Sequence, residues 1–311
     1  IPNNTEVSFS VTPTGLDTRL VSTGSPVDYT VDAGTYSVVE SAKTGWEETS
    51  NTCSDIVVSN GETEECTIKN TQKGNIIVKK ETTPDSDPKS FEFVTNYSTN
   101  FNLSDGQQND SGFLSPSTYS VSENVPTGWT LSSSTCDDGS TVDSISVSAG
   151  EVVTCTFNNT KLGKIIVEKQ TLPNGSTETF EFTPTYNSGN KFNLTDGGQN
   201  DSGYLLPGVY GVSETTKSGW DLDSAICNDQ SNVSSINVSA GETVICIFTN
   251  SQRGSISGAK FEDVDGSTET SGDQSNVLGW TIELYSCASD FTGCILSATD
   301  VTDGSGYSFD D

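Results

Sequence analysis

The chain has 311 residues, 31% of them hydrophobic, with 43 Asp and Glu against 14 Lys and Arg and a formal net charge of -29. That is core material for two or three small domains, and a charge that repels nucleic-acid phosphates and anionic lipid alike, which excludes nucleic-acid binding. No run approaches the roughly 20 apolar residues of a membrane helix, so no membrane-spanning segment is expected.

There is no Met and no basic-then-apolar leader, as expected of a mature protein or of a piece of a longer one. Eight Cys, with no CxxC and no His, leave disulfides as the use for the thiols and place the protein outside the cytoplasm. Asn-x-Ser/Thr sequons occur at Asn3, Asn96, Asn102, Asn109, Asn158, Asn174, Asn193, Asn200, Asn232 and Asn237. Asn102 and Asn193, and Asn109 and Asn200, fall at matching positions of two repeats, so N-linked glycans are expected on the surface.

In chain order, residues 1–72 carry Thr35-Tyr-Ser-Val-Val-Glu40, then Gly45-Trp46, Cys53 and Cys66. Residues 73–161 open with Gly74-Asn-Ile-Ile-Val-Lys-Lys80 and continue through Phe91-Glu-Phe, Phe101-Asn-Leu-Ser-Asp-Gly, Thr118-Tyr-Ser-Val-Ser-Glu123, Gly128-Trp129, Cys136 and Cys155. Residues 162–252 repeat that order with Gly163-Lys-Ile-Ile-Val-Glu-Lys169, Phe180-Glu-Phe, Phe192-Asn-Leu-Thr-Asp-Gly, Val209-Tyr-Gly-Val-Ser-Glu214, Gly219-Trp220, Cys227 and Cys246, at a period of about 90 residues. Residues 253–311 begin again with Gly254-Ser-Ile-Ser-Gly-Ala-Lys260. The short Val/Ile/Thr/Tyr/Phe runs alternate with polar residues and are broken by Gly, Asn, Asp and Pro, so the prediction is all-β. Spacing pairs Cys53 with Cys66, Cys136 with Cys155, Cys227 with Cys246 and Cys287 with Cys294. Trp46, Trp129 and Trp220, at a fixed distance before a Cys, read as packing residues.

Side chains alternate faces along a strand, so parity assigns each polar residue to a face. Lys80 continues the apolar face of Ile76 and Val78; Glu123 continues that of Tyr119 and Val121; Asn159 continues that of Cys155 and Phe157. Lys169, Glu214 and Asn250 repeat the arrangement. Three polar groups on one core face are costly unless they pair or react. A buried ion pair with an Asn hydrogen bond fits this parity, and so do strand-end residues reaching water.

The succession Gly-x-Ile-x-Val-x-Lys, Tyr-x-Val-x-Glu, Gly-Trp and a closing strand ending in Asn resembles the prealbumin-like (Ig-like) β-sandwich domains of bacterial collagen adhesins and shaft pilins, over residues 74–252. Residues 254–311, with Gly279-Trp-Thr-Ile-Glu-Leu-Tyr and Gly304-Ser-Gly-Tyr-Ser-Phe, resemble the B domains of serine-aspartate-repeat adhesins. The resemblance implies tandem sandwiches, surface location, no catalysis on an outside substrate, and a self-made Lys–Asn isopeptide crosslink assisted by the Glu. It also implies calcium as a possible ligand of the acidic loop Glu262, Asp263, Asp265, Glu269 and Asp273, whose spacing fits no strict calcium loop; no other cofactor is expected.

Neither end reads as a whole domain. Residues 1–72 hold Glu40 and Asn70 but no lysine strand, whereas residues 253–311 hold Lys260 but no closing half. The expectation is that residues 254–311 of one copy and 1–72 of the next make one domain, as consecutive repeats or as subunits joined end to end. The functional expectation is a segment of an extracellular filament or stalk; the alternative is a surface adhesin whose domains bind glycans or proteins of a neighbouring cell.

Overall fold

The computed structural model describes residues 7–22, 24–264, 266, 273, 277–289 and 292–309. It divides into two compact units, residues 1–161 and 162–311. The first opens with β1 (Ser8–Pro13), β2 (Arg19–Ser22), β3 (Gly34–Tyr36), β4 (Val38–Glu40), β5 (Trp46–Asn51), β6 (Ile56–Val58) and β7 (Ile68–Gln72). It continues with β8 (Asn75–Thr83), β9 (Phe91–Thr95), β10 (Phe101–Leu103), β11 (Gln108–Asp110), β12 (Ser117–Tyr119), β13 (Val121–Asn124), β14 (Trp129–Cys136), β15 (Ile145–Val147) and β16 (Val152–Lys161). The second unit holds β17 (Lys164–Leu172), β18 (Phe180–Pro184), β19 (Phe192–Leu194), β20 (Gln199–Asp201), β21 (Gly208–Tyr210), β22 (Val212–Glu214), β23 (Trp220–Cys227), β24 (Ile236–Val238) and β25 (Thr243–Gln252). It ends with β26 (Ile256–Gly258), β27 (Thr281–Ser286), β28 (Ile295–Val301) and β29 (Tyr307–Phe309).

Residues 73–161 and 162–252 follow one plan. A four-stranded sheet, β11-β8-β16-β14 or β20-β17-β25-β23, faces a three-stranded sheet, β10-β9-β13 or β19-β18-β22, with a small ribbon β12-β15 or β21-β24 beside them. The first and last strands of each module run parallel, with Phe157 beside Lys80 and Phe248 beside Lys169. Alternation along these strands turns Ile76, Val78, Phe91, Phe93, Val121, Trp129 and Phe157 into one core, and Ile165, Val167, Phe180, Phe182, Val212, Trp220 and Phe248 into the other. Burying each such side chain stabilises by about 1.5–3 kcal/mol. The Trp rings stack edge to face on Phe91 and Phe180, at 5.1 and 5.3 Å.

Glycine at the head of each lysine strand is required by close packing. A Cβ on Gly74 would lie 2.5 Å from Val147 Cγ1 and 2.6 Å from the Glu151 carbonyl, and one on Gly163 would strike Val238. The four cysteine pairs are bridged as spacing predicts. Cys136 and Cys227 lie directly across the ladder from Cys155 and Cys246.

The end segments differ sharply from the central modules. Among described residues of 7–72, Val11 and Cys53 are the buried hydrophobics. Among those of 253–309 none is, and Ile256 is 53% exposed where Ile76 and Ile165 are 0%.

Candidate functional site

The chemistry of the central modules gathers where the first and last strands meet. Lys80, fully buried, projects from β8 into the core. Its Nζ donates to Asn159 Oδ1 at 2.8 Å and to the carbonyls of Glu81 at 2.6 Å and Phe157 at 3.2 Å. Glu123 Oε1 lies 3.7 Å from the same nitrogen, and the ammonium sits over the Phe91 ring at 4.4 Å. The second module repeats the set: Lys169 Nζ reaches Asn250 Oδ1 at 2.7 Å, Gln170 O at 2.6 Å and Phe248 O at 3.2 Å. Glu214 Oε2 is 3.9 Å from it and the Phe180 ring 4.3 Å. There the Asn250 amide also donates to Glu214 Oε1 at 2.6 Å. The structure thus brings each predicted Lys, Glu and Asn together in both modules.

Burial pushes both lysines below their ordinary value, against the opposing pull of Glu123 or Glu214. Burial likewise raises Glu123 and Glu214 above the usual carboxylate value. Both shifts favour the same proton transfer, from ammonium to carboxylate, leaving a neutral amine beside a carboxamide and a carboxylic acid. Both Glu123 oxygens and the Asn159 amide nitrogen are buried without a hydrogen-bond partner. A resting ion pair would normally satisfy such groups.

Glu40 and Asn70 also meet, through an Asn70 Nδ2 to Glu40 Oε2 bond of 2.8 Å. Lys260 lies in the second unit, where its Nζ donates to its neighbour's carbonyl, Phe261 O, at 2.9 Å, as Lys80 and Lys169 do to theirs.

A carboxylate in each module, not picked out by the sequence reading, holds the far end of the lysine strand. Asp105 accepts from Thr82 N at 2.5 Å and Ser86 N at 2.7 Å; Asp196 accepts from Thr171 N at 2.6 Å and Gly175 N at 2.8 Å. The signal was present in the repeated Leu-Ser/Thr-Asp-Gly. Burial works to raise the Asp105 carboxyl, but the hydrogen bonds from Ser86 and Thr82, together with the Lys80 charge, outweigh it and hold the group below the ordinary aspartate value. A carboxylate depressed in the folded state contributes stability above its unfolded value and loses it as pH falls through the folded one. Asp105→Asn should therefore cost about 1–2 kcal/mol at neutral pH and progressively less in acid, read from denaturant midpoints of the two proteins across pH.

Of the sequon asparagines, Asn96, Asn102, Asn174, Asn193, Asn232 and Asn237 are exposed and Asn109, Asn158 and Asn200 half-buried; Asn3 lies outside the described residues. Asp265 and Glu269 of the acidic loop also lie outside them. Asp263 Oδ1 accepts from Gly266 N and Asp273 Oδ1 from Val264 N, and among the described residues no three acid groups come together as a metal site. No helix of the described residues is long and apolar enough to cross a membrane.

A family model for a prealbumin-like fold domain matches residues 76–161. This module is a prealbumin-like domain. Residues 162–252, with the same sheet orders and the same bulge position, are a second prealbumin-like module in tandem. Among solved structures, the TIE protein of Bacillus anthracis is 17% identical, with 99% of this chain and 59% of that chain covered and a TM-score of 0.30. The chain therefore spans 59% of that protein's length. The major pilin T-13 of Streptococcus pyogenes is 14% identical over 59% of this chain and 97% of its own, TM-score 0.25. The pilus adhesin SpaC of Lactobacillus rhamnosus GG is 13% identical over 81% of this chain and 42% of its own, TM-score 0.25. No curated protein matches the chain in sequence.

Proposed function

We propose that the chain is a structural segment of an extracellular, cell-surface filament or stalk, each of whose central prealbumin-like modules is sealed by a bond between its first and last strands. The observation that carries this reading is the doubled triad: a fully buried lysine within hydrogen-bond length of an asparagine carboxamide, with a buried, poorly solvated glutamate beside both. A bond there would tie the two parallel strands through which tension along the chain enters and leaves a module.

The chemistry balances within the module. Glu123 takes a proton from Lys80 Nζ; the neutral amine attacks Asn159 Cγ; Glu123 passes that proton to Nδ2 and takes the second from Nζ as the Nζ–Cγ bond forms and the Cγ–Nδ2 bond breaks, so that Nδ2 leaves as ammonia and Glu123 ends protonated. Lys169, Glu214 and Asn250 act in the same roles, and the Asn250 amide already touches the relay carboxyl. Exclusion of water from the site protects the product from hydrolysis.

Intact-mass measurement after disulfide reduction and glycan removal tests the proposal. The two central modules together should be lighter than the plain sequence by two molecules of ammonia, and Glu123→Gln should restore one. A mass matching the plain sequence would end the crosslink reading.

A further inference from the structure

Residues 7–72 are not half a module: they are a module short of two adjacent strands. Their three-stranded sheet β2-β1-β4 matches β10-β9-β13, and their ribbon β3-β6 matches β12-β15 in register, Gly34 facing Val58 as Ser117 faces Val147. β5-β7 matches β14-β16, with the bulge between Glu48 and Ser50 placed as that between Leu131 and Ser133. Phe9 meets Trp46 edge to face at 5.3 Å, as Phe91 meets Trp129. Tyr36 OH donates to Asp32 O as Tyr119 OH does to Ser115 O. In the central modules the sheet extends past β16 to β8 and β11. Here it stops at β7, whose second edge carries no strand among the described residues, and Ile68 and Asn70 are only half-buried where Phe157 and Asn159 are buried.

The missing pair exists in the second unit. β26 and β29 form an antiparallel ribbon with Gly258 facing Tyr307 and Ser257 facing Ser308. β8 and β11 pair in the corresponding register, Val78 facing Asn109 and Ile77 facing Asp110. Gly254 stands six residues before Lys260, as Gly74 does before Lys80. A Cβ on Gly254 would nevertheless meet nothing within 4 Å, whereas the closing half of its own module crowds Gly74. The Glu151 carbonyl, which accepts from Asn75 N at 2.9 Å, has its counterpart in Glu62, on the turn where Glu62 N bonds Ser59 O as Glu151 N bonds Ser148 O.

We propose that the β29-β26 ribbon of one copy of this chain adds to the β7 edge of a second copy, giving a four-stranded sheet β29-β26-β7-β5, and that Lys260 of the first copy then bonds to Asn70 of the second. The inference rests on the lysine–asparagine chemistry proposed for the central modules. The parallel register of β8 on β16 places Lys260 beside Ile68, as Lys80 lies beside Phe157, with its amine directed at the Asn70–Glu40 pair. Docking also moves the Lys260 ammonium from the Trp280 ring, now 5.3 Å away, to Phe9, the counterpart of Phe91. Glu40 takes two protons from Nζ in turn, passing the first to Asn70 Nδ2 and keeping the second; the Nζ–Cγ bond replaces Cγ–Nδ2, and one ammonia leaves per junction. Because donor and acceptor lie on different copies, each junction leaves a free donor at one end and a free acceptor at the other. The product is an open linear polymer.

The test is the whole chain, purified, then reduced, deglycosylated and denatured. The expected result is a ladder at multiples of the monomer mass, with a Lys260–Asn70 linked peptide in the digest. Lys260→Arg and Asn70→Ala should each run only as monomer. Mixed in equal amounts they should give a dimer and nothing longer, since Lys260→Arg still offers Asn70 and Asn70→Ala still offers Lys260. That dimer also shows that both variants fold. A wild-type chain that denatures wholly to monomer, or a ladder that survives Lys260→Arg, overturns the proposal. The masses separately report the central crosslinks: a wild-type chain that stays monomeric with two ammonia molecules missing sinks this inference alone, and a Lys260→Arg monomer with none missing sinks the reading it rests on.

Discussion

Lys80→Met combined with Glu123→Leu should lower the stability of its module by about 4 kcal/mol, by the loop-entropy relation for a crosslink between residues 79 apart in sequence. For a domain of this size that is a fall of roughly 15–30 °C in its melting transition. The sign is the informative part. Were Lys80 and Glu123 an ordinary buried ion pair, exchanging both for apolar side chains of similar volume would be neutral or stabilising by about 1–4 kcal/mol, because the pair's desolvation cost rivals its attraction. A covalent bond to Asn159 reverses this outcome, since the exchange frees the unfolded chain from a long closed loop. Scanning calorimetry of the variant against the parent decides it: a module that melts at or above the parental temperature contradicts a crosslink there. The single change Lys80→Ala should be at least as damaging, since it removes the bond and also leaves a cavity beside Phe91 and Glu123.

Removing one disulfide should have the next largest effect. Cys136→Ala with Cys155→Ala opens a bridge of sequence separation 19, worth about 3 kcal/mol by the same relation. The bridge joins directly opposed residues of β14 and β16, so the folded module keeps its ladder without it. The loss should therefore appear as a lower melting temperature with little change in the circular dichroism of the native state. This loop is nested inside that closed by Lys80 and Asn159, so the two losses should not add in full. A double-cysteine variant within about 0.5 kcal/mol of the parent would show that the bridge constrains little.

The cysteine spacing and the face of each polar side chain were legible in the sequence because both are local. Alternation along a strand is a property of the backbone, so Lys80 shares a face with Ile76 and Val78 whatever lies opposite. A cysteine pair repeated at one spacing needs no long-range knowledge either. The repeat itself, read from Gly74 and Gly163 onward, sufficed for a tandem all-β architecture, and the resemblance carried by its motifs supplied the prealbumin-like fold. What the tertiary structure alone decided is how strands distant in sequence are ordered. Parallel pairing of β8 with β16 brings Lys80 against Asn159, and the opposing sheet supplies Glu123 and the Phe91 ring; depth of burial, which shifts the lysine and glutamate in opposite directions, follows from that packing. The repeated Leu-Ser/Thr-Asp-Gly marked Asp105 and Asp196 as matching positions, but their clamping role escaped the sequence reading because the partners are backbone N–H groups, which no residue type announces. The ends show the same division. The absence of a lysine strand from residues 1–72 could be read directly. That the strand beside it is lacking as well among the described residues, and that β26 and β29 form a matching ribbon, depends on pairing and register, which arise only when the sheets assemble.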